Sequence, residues 1–450
     1  MADCTEFYRE RDKRTAEYVG SNGFQLKPVH VAIERVACET PSGQLALLAL
    51  ANQLVRVHRQ ITFDVPVPNA ILKVRTPFVG NTLGDTLSST VSEIDPCGRF
   101  QILDRGAPDA ISIGLGFGAE KGFDFYIGAR GARAYLGVSP VEFSNSAATL
   151  RGAALAACLG AAAVFRSALN LKTPPRTLSC WNYLEGNQAD PGPESIEPLD
   201  VGRVLMVGAG AVAASLTYWL HVFGVGGNWT IVDRDEVKLH NINRGMVFTA
   251  ADAGWSSGAA VKKAKRLALL IENAQSFDEW YDQCEVAMHE IFDVVLGLAN
   301  DRGVRHLIAS RNTGITLQAT TGTNWLSQLH RHILGLDDCI WCRTGEIETV
   351  EFGCSKAPVE EPGRERNDAA LPFLSAASGL MLATALQQLQ AGTLADHKCN
   401  DWRWDFASPY RMASFGYRTC RSECTRILGS EVRRQLNRHC RWHDLGEGNV

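Results

Sequence analysis

Apolar and polar positions divide the chain at a stretch that follows neither a helical nor a strand period. Residues 187–200 include Asp190-Pro-Gly-Pro-Glu-Ser-Ile-Glu-Pro198. This acidic, proline-rich run reads as a linker. Beyond it, short apolar runs alternate with helical patterns. Strands are expected over 204–207, 229–232, 294–298 and 315–319, and helices over 211–223, 259–273, 302–311 and 371–391. The alternation predicts a doubly wound, mainly parallel α/β sheet. Before the linker, a charged helix is expected over 6–18. A second helix over 40–55 carries Leu45, Leu47, Leu48, Leu50 and Leu54. Residues 62–102 read as short strands and loops. A strand at 110–113 runs into Gly114-Leu-Gly116-Phe-Gly118, and another is expected over 123–127. Asn145-Ser146 can cap an alanine-rich helix over 147–169.

A length of 450 residues suits two or three domains. The division is residues 1–186, a linker 187–200, and residues 201–450. A net charge of −4 leaves no polybasic footprint, which speaks against sequence-specific nucleic-acid binding. Residues 152–165 are uncharged but too short to span a membrane. Residues 369–395 are long enough but carry Pro372, Ser375, Thr384 and three glutamines, so a buried helix is expected and no membrane partner. The N-terminus has no apolar signal core, so a cytoplasmic chain with mostly reduced cysteines is expected. The 13 cysteines are then candidates for metal ligation or catalysis rather than a disulfide framework.

The richest chemistry lies between 204 and 244. The run Val204–Val207 enters Gly208-Ala-Gly210-Ala-Val-Ala213 and then a helix. Two glycines allow a tight turn and close approach to a phosphate, and free amides at the helix start favour an anion. Asp233 ends the next strand, where an acid can grip ribose hydroxyls. Asp235, Asn241, Arg244 and Lys263 follow. A dinucleotide site has no need of several cations and a further acid. Attack at the α-phosphate of ATP does: cations neutralise the triphosphate, and an acid holds Mg2+. Lys262 and Lys265 read as a solvated face. The glycines at 114–118 lack a following acid at the right distance, which favours close packing over phosphate contact.

The order Gly-x-Gly-x-x-Ala, Asp-x-Asp, Asn-x-Asn-Arg, Lys-Ala, Asn300-Asp301-x-x-x-Arg305 and paired cysteines resembles the adenylation domain of ubiquitin-activating enzymes (E1-like, ThiF/MoeB-type) over about 200–440. The resemblance implies a Rossmann-like active domain preceded by a degenerate, inactive copy. It implies ATP, Mg2+ and a structural Zn2+ as cofactors. Gly208 and Gly210 would line the phosphates, Asp233 would bind ribose, and Asn241, Arg244 and Lys263 would contact phosphate. The family's Asp-Asn pair appears here reversed; Asp301 is the candidate magnesium ligand, with Asp235 as the second choice. Cys339-Ile-Trp-Cys342 and Cys420-Arg-Ser-Glu-Cys424 have spacings for a closed Cys4 zinc site, with Cys399 or Cys440 as possible replacements. Cys354 corresponds to the thioester-forming cysteine of the crossover region, where Lys356 would favour its thiolate; Cys284 and Cys399 are weaker rivals. An N-terminal arginine, among Arg9, Arg11 and Arg14, would complete the ATP site, with Arg14 preferred. The implied partners are a ubiquitin-like protein and an E2-like conjugating protein. The layout most resembles the E1 proteins of bacterial ubiquitination-like antiviral operons. A monomer with an internal pseudo-dimer and a homodimer both remain open. Two other activities do too: activation of a sulfur carrier or peptide without E2 transfer, and NAD-dependent oxidoreduction.

Overall fold

The structure, a computed structural model, describes residues 3–19, 27–102, 109–144, 149–194, 199–255, 258–310, 314–322, 325–333, 336–338, 340–344, 371–407, 412–416 and 441–442. Two sheets organise it. The first contains β1 (Val29–Ile33), β2 (Gln60–Asp64), β3 (Arg99–Ile102), β4 (Ile111–Leu115), β5 (Phe125–Arg130), β6 (Arg133–Gly137) and β7 (Arg176–Ser179) in the order β3-β2-β1-β4-β5-β6-β7. The second contains β8 (Asp200–Val207), β9 (Gly226–Val232), β10 (Ala274–Phe277), β11 (Val294–Gly297), β12 (Ile315–Gly322), β13 (Leu326–Ile333), β14 (Cys399–Asp405) and β15 (Met412–Gly416). Its order is β10-β9-β8-β11-β12-β13-β14-β15. In each, the first five strands across the sheet are parallel and the rest antiparallel. The two sheets repeat one topology, with an extra edge strand on the second.

The helices are α1 (Cys4–Val19), α2 (Arg35–Cys38), α3 (Pro41–Val55), α4 (Leu83–Ile94), α5 (Thr149–Ala168), α6 (Ala211–Phe223), α7 (Leu239–Ile242), α8 (Lys263–Ala268), α9 (Glu285–His289), α10 (Arg302–Ser310), α11 (Ile340–Thr344) and α12 (Pro372–Gln390). Helix α3 packs on α5, α6 packs on α12, and α5 packs on α12. One continuous apolar core therefore runs from Leu50 and Leu159 through Trp219 to Met381. These helices are apolar on nearly every face because each is covered by neighbours on all sides. The α6–α12 approach requires a glycine: a Cβ on Gly379 would lie 2.6 Å from Leu216 N. Helix α5 has the length and composition to cross a membrane, but it is buried in this core.

The expectations are corrected at three places, the helix within 62–102, the length of the helix over 259–273 and the state of two cysteines, whereas the close packing expected at the glycines of 114–118 is what the structure has. Within 62–102 there is a full helix, α4, whose N-cap Thr82 accepts from Asp85 N and whose Leu83, Leu87, Val91 and Ile94 face inward. The helix expected over 259–273 is only α8. Gly114 and Gly116 make room for Phe123 and Phe143, against which added Cβ atoms would collide. Cys4 and Cys97, 93 residues apart, form a disulfide where α1 meets the turn after α4, against the expectation of reduced thiols. Asn145-Ser146 lie outside the described residues.

Candidate active site

Strand β8 sits mid-sheet, with β9 on one side and β11 on the other. The chain thus reverses its winding direction beside β8, which is where open α/β sheets leave a crevice at the strand ends. The turn after β8 is held by backbone bonds: Gly208 N donates to Val232 O (2.9 Å) and Leu298 N to Val207 O (2.9 Å). Gly208 has φ +95°, and a Cβ there would meet Ala299 N at 2.6 Å. A side chain would suffer both strain and collision. Gly210 is the N-cap of α6; a Cβ there would touch nothing within 4 Å. Among the described residues no side chain caps α6, so its first amides open onto this space.

Asp233 braces the turn. Its carboxylate accepts from Ala209 N (2.6 Å) and from Asp235 N (2.8 Å). Burial raises its pKa, opposed by Lys263 and these two amides. Asp235 lies 2.8 Å from Lys263 Nζ. Burial pushes its carboxyl up, but Lys263 and the nearby Arg234 and Lys238 more than offset this and leave it below the ordinary value. Lys263 itself starts α8, fixed by its N–H donating to Asp235 O (2.9 Å), and is only 8% exposed.

Helix α7 brings the remaining cations. His240 is held down to about 3 by burial, then by the charges of Arg14, Arg244, Lys238 and Lys263. The charges of Arg14 on α1, of Lys238 and Arg244 flanking α7, and of Lys263 on α8 thus all reach one imidazole, which stays neutral. Arg14 belongs to the first half of the chain; α1 packs directly on α7. Of the other two arginine candidates, Arg11 is buried in ion pairs with Asp12 and Asp95, and Arg9 pairs with Glu6 and Glu10.

The 238–248 segment is fixed from several sides. Asn241 Oδ1 accepts from Lys238 N (2.9 Å), so that oxygen caps α7. Asn243 accepts from Thr15 Oγ1 (3.0 Å) and donates to Arg56 O (3.2 Å). The buried Arg56 guanidinium donates to Ile242 O, Met246 O (2.7 Å) and Phe248 O (3.0 Å). Burial and then Arg11 push its pKa down to about 9. Ser375 Oγ of α12 donates to Arg244 O (2.6 Å). Motif reading did not find His240, Lys238, Thr15, Arg56 or Ser375. His240 and Lys238 flank the Asn-x-Asn-Arg motif; the others come from distant segments with no motif of their own.

Asp301 is exposed, and its Oδ1 accepts from Gly303 N (2.7 Å), capping α10. Lys262 pairs with Glu236 (3.3 Å), and Lys265 is exposed, as expected of a solvated face. Of the four expected zinc ligands only Cys342 is described; it is half-buried on α11. Cys339, Cys420, Cys424, Cys440 and the expected nucleophile Cys354 lie outside the described residues. Among the described residues no group of three or more His, Cys, Asp or Glu is placed to hold a metal. Burial raises the thiols of Cys284 and of Cys399, the latter to about 11, which makes both poor nucleophiles.

Residues 187–414 match the model of the ThiF family, half of the chain. The chain belongs to the ThiF family. The uncharacterized protein y4jF of Sinorhizobium fredii is 30% identical over 188 residues, 40% of this chain. The chain spans 36% of the length of that curated relative. Among solved structures, E. coli MccB with ATP gives a TM-score of 0.34 at 11% identity, over 48% of this chain and 64% of MccB. PaaA gives 0.35 at 14%, over 48% and 72%. The ThiF match contains the glycine turn, Asp233, Asp235, Arg244, Lys263 and Asp301. Arg14, Thr15 and Arg56 lie outside it and reach the same corner from the first half.

Proposed function

We propose that this ThiF-family chain is an ATP-dependent adenylating enzyme acting on the C-terminal carboxylate of a peptide or small protein. The observation that carries the reading is the glycine turn and uncapped start of α6, braced by Asp233 on Ala209 N, with Lys263 paired to Asp235 at 2.8 Å and α1 packed on α7, so that the charges of Arg14, Lys238, Arg244 and Lys263 all reach one imidazole. Such a gathering of positive charge suits a triphosphate and the extra charge that develops when its α-phosphate is attacked. A dinucleotide oxidoreductase would leave most of these cations without a task. In this reading the Gly208–Gly210 amides cradle phosphate and Asp233 orients the ribose. Arg244, Lys263 and Arg14 stabilise the triphosphate and the departing pyrophosphate. Asp235 or Asp301 would support a magnesium ion, which would supply further charge neutralisation. The acceptor carboxylate attacks the α-phosphorus, the bond to the β-phosphate oxygen breaks, and acyl adenylate and pyrophosphate result.

The finer reading is activation of a ubiquitin-like protein ending in glycine. The Cys354 thiolate then attacks the acyl carbonyl and displaces AMP, and the thioester passes to an E2-like protein, as in bacterial defence operons. Cys339, Cys342, Cys420 and Cys424 would hold a structural zinc. Support for this part is the sequence pattern and the ThiF membership. The test is exchange of labelled pyrophosphate into ATP with a ubiquitin-like protein ending in glycine, alongside a search for a reducible adduct. Exchange lost in Arg244→Ala and an adduct lost in Cys354→Ala are expected. Exchange without any adduct would leave adenylation and remove the transfer step; no exchange with any carboxylate donor would remove both.

A further inference from the structure

The rim of the same corner carries a side-chain pair that the phosphate chemistry leaves unused. Arg234 directly follows Asp233, and its guanidinium lies 3.5 Å from the centroid of the Trp280 ring. Trp280 follows β10 by three residues, and Asp233 N donates to Phe277 O at the end of that strand (3.1 Å). The pair therefore stands at the ends of β9 and β10, beside the carboxylate assigned to the ribose. Both members are exposed, Trp280 by 45%. An indole left this open is a large apolar surface in water. The guanidinium covers one face of the ring, and Arg234 stands in the chain between Asp233, which braces the glycine turn, and Asp235, which pairs with Lys263, so the pair lies at the edge of the site.

We propose that the Arg234–Trp280 stack is the platform for the base of the bound nucleoside triphosphate. This rests on the reading of the corner as an ATP site. A flat guanidinium–indole pair meets a purine face by stacking and by cation–π attraction, without needing hydrogen-bond readout. It would also set the direction of the nucleotide: base outward over β10, triphosphate inward toward Gly208 and Lys263.

The test uses the full chain and two probes, ATP and inorganic tripolyphosphate, in equilibrium titrations. Trp280→Ala is expected to weaken ATP on the order of tenfold while leaving tripolyphosphate affinity unchanged. Trp280→Phe is expected to keep most of the ATP affinity, which separates lost stacking from misfolding. In the wild type, tryptophan fluorescence should respond to ATP but not to tripolyphosphate, and Trp280→Phe should lose that response. Equal ATP affinity in the wild type and Trp280→Ala would overturn the platform and leave the phosphate site standing. Wild type that binds neither probe would overturn the platform together with the reading beneath it.

Discussion

β1 and β8 occupy the same place in two sheets of the same order, yet the corners that follow them differ in every respect that matters to an anion. After β8 the chain turns through Gly208 straight into the long helix α6, whose start no described side chain caps. After β1 it passes through Glu34, the one-turn helix α2 and Glu39 before α3 begins. Thr40 caps α3 by accepting from Gly43 N (3.1 Å), so this helix start satisfies itself. The balance of charge also differs. The second corner gathers Lys238, Arg244 and Lys263, whereas the first sets Glu34, Glu39 and Asp64 beside Arg35 and Lys73, whose Nζ donates to Glu39 O (2.7 Å). Asp64 ends β2 as Asp233 follows β9, so the acid is present in both halves and cannot by itself make a nucleotide site. What separates the corners is the uncapped amides and the cations. The first half instead lends Arg14, Thr15 and Arg56 to its neighbour.

The contrast can be broken most sharply by charge. Arg244→Ala or Lys263→Ala should lower pyrophosphate exchange on the order of a hundredfold or more, while Glu34→Ala should leave it unchanged. Equal losses at the two corners would contradict the assignment of one active half. Next in size, Arg56→Ala strips a buried donor from three carbonyls of 242–248. It should destabilise the chain by about 3 kcal/mol in denaturant unfolding and raise the KM for ATP, although Arg56 lies in the first half. Gly208→Ala forces a Cβ against Ala299 at positive φ. A loss of about 1–3 kcal/mol with abolished ATP binding is expected, checked by melting and titration. The effect with the least bearing on ATP near neutral pH is confined to the first half. Burial and then Arg11 hold the pKa of His58 down to about 3, against 6.5 ordinarily. Its stabilising contribution is therefore full above pH 6.5 and is lost as pH falls toward 3, by up to ~1.4 kcal/mol per pH unit. His58→Gln should flatten that slope in acid unfolding without changing ATP affinity near neutral pH.

Much of the second half was legible because its signals are local. The buried run 204–207, the two glycines and Asp233 lie within thirty residues, and the strand and helix periods around them are unambiguous. The helix expected over 259–273 failed for a tertiary reason. Val261 N donates to Asp252 O, Val237 N to Val261 O and Lys263 N to Asp235 O, so residues 261–262 form an extended strap despite an alanine-rich sequence. That strap is what delivers Lys263 to Asp235. Helix α4 carried a readable signal in Thr82-x-x-Asp85 and the inward Leu83, Leu87, Val91 and Ile94, hidden among short polar residues. The contributions of Thr15, Arg56 and Ser375, like the Cys4–Cys97 bond, depend on segments far apart in the chain and have no sequence period to betray them.

The presence of Arg14 and the glycine turn on one chain has a consequence for how the corner responds to dilution. In an enzyme that borrows such an arginine from a separate subunit, the complete site is a second-order product and disappears below the dissociation constant of the pair. Here α1 closes on α7 within a single polypeptide, at an effective concentration fixed by the intervening chain. Arg14 should therefore stay with the site at any protein concentration, and specific activity should not fall as the sample is thinned.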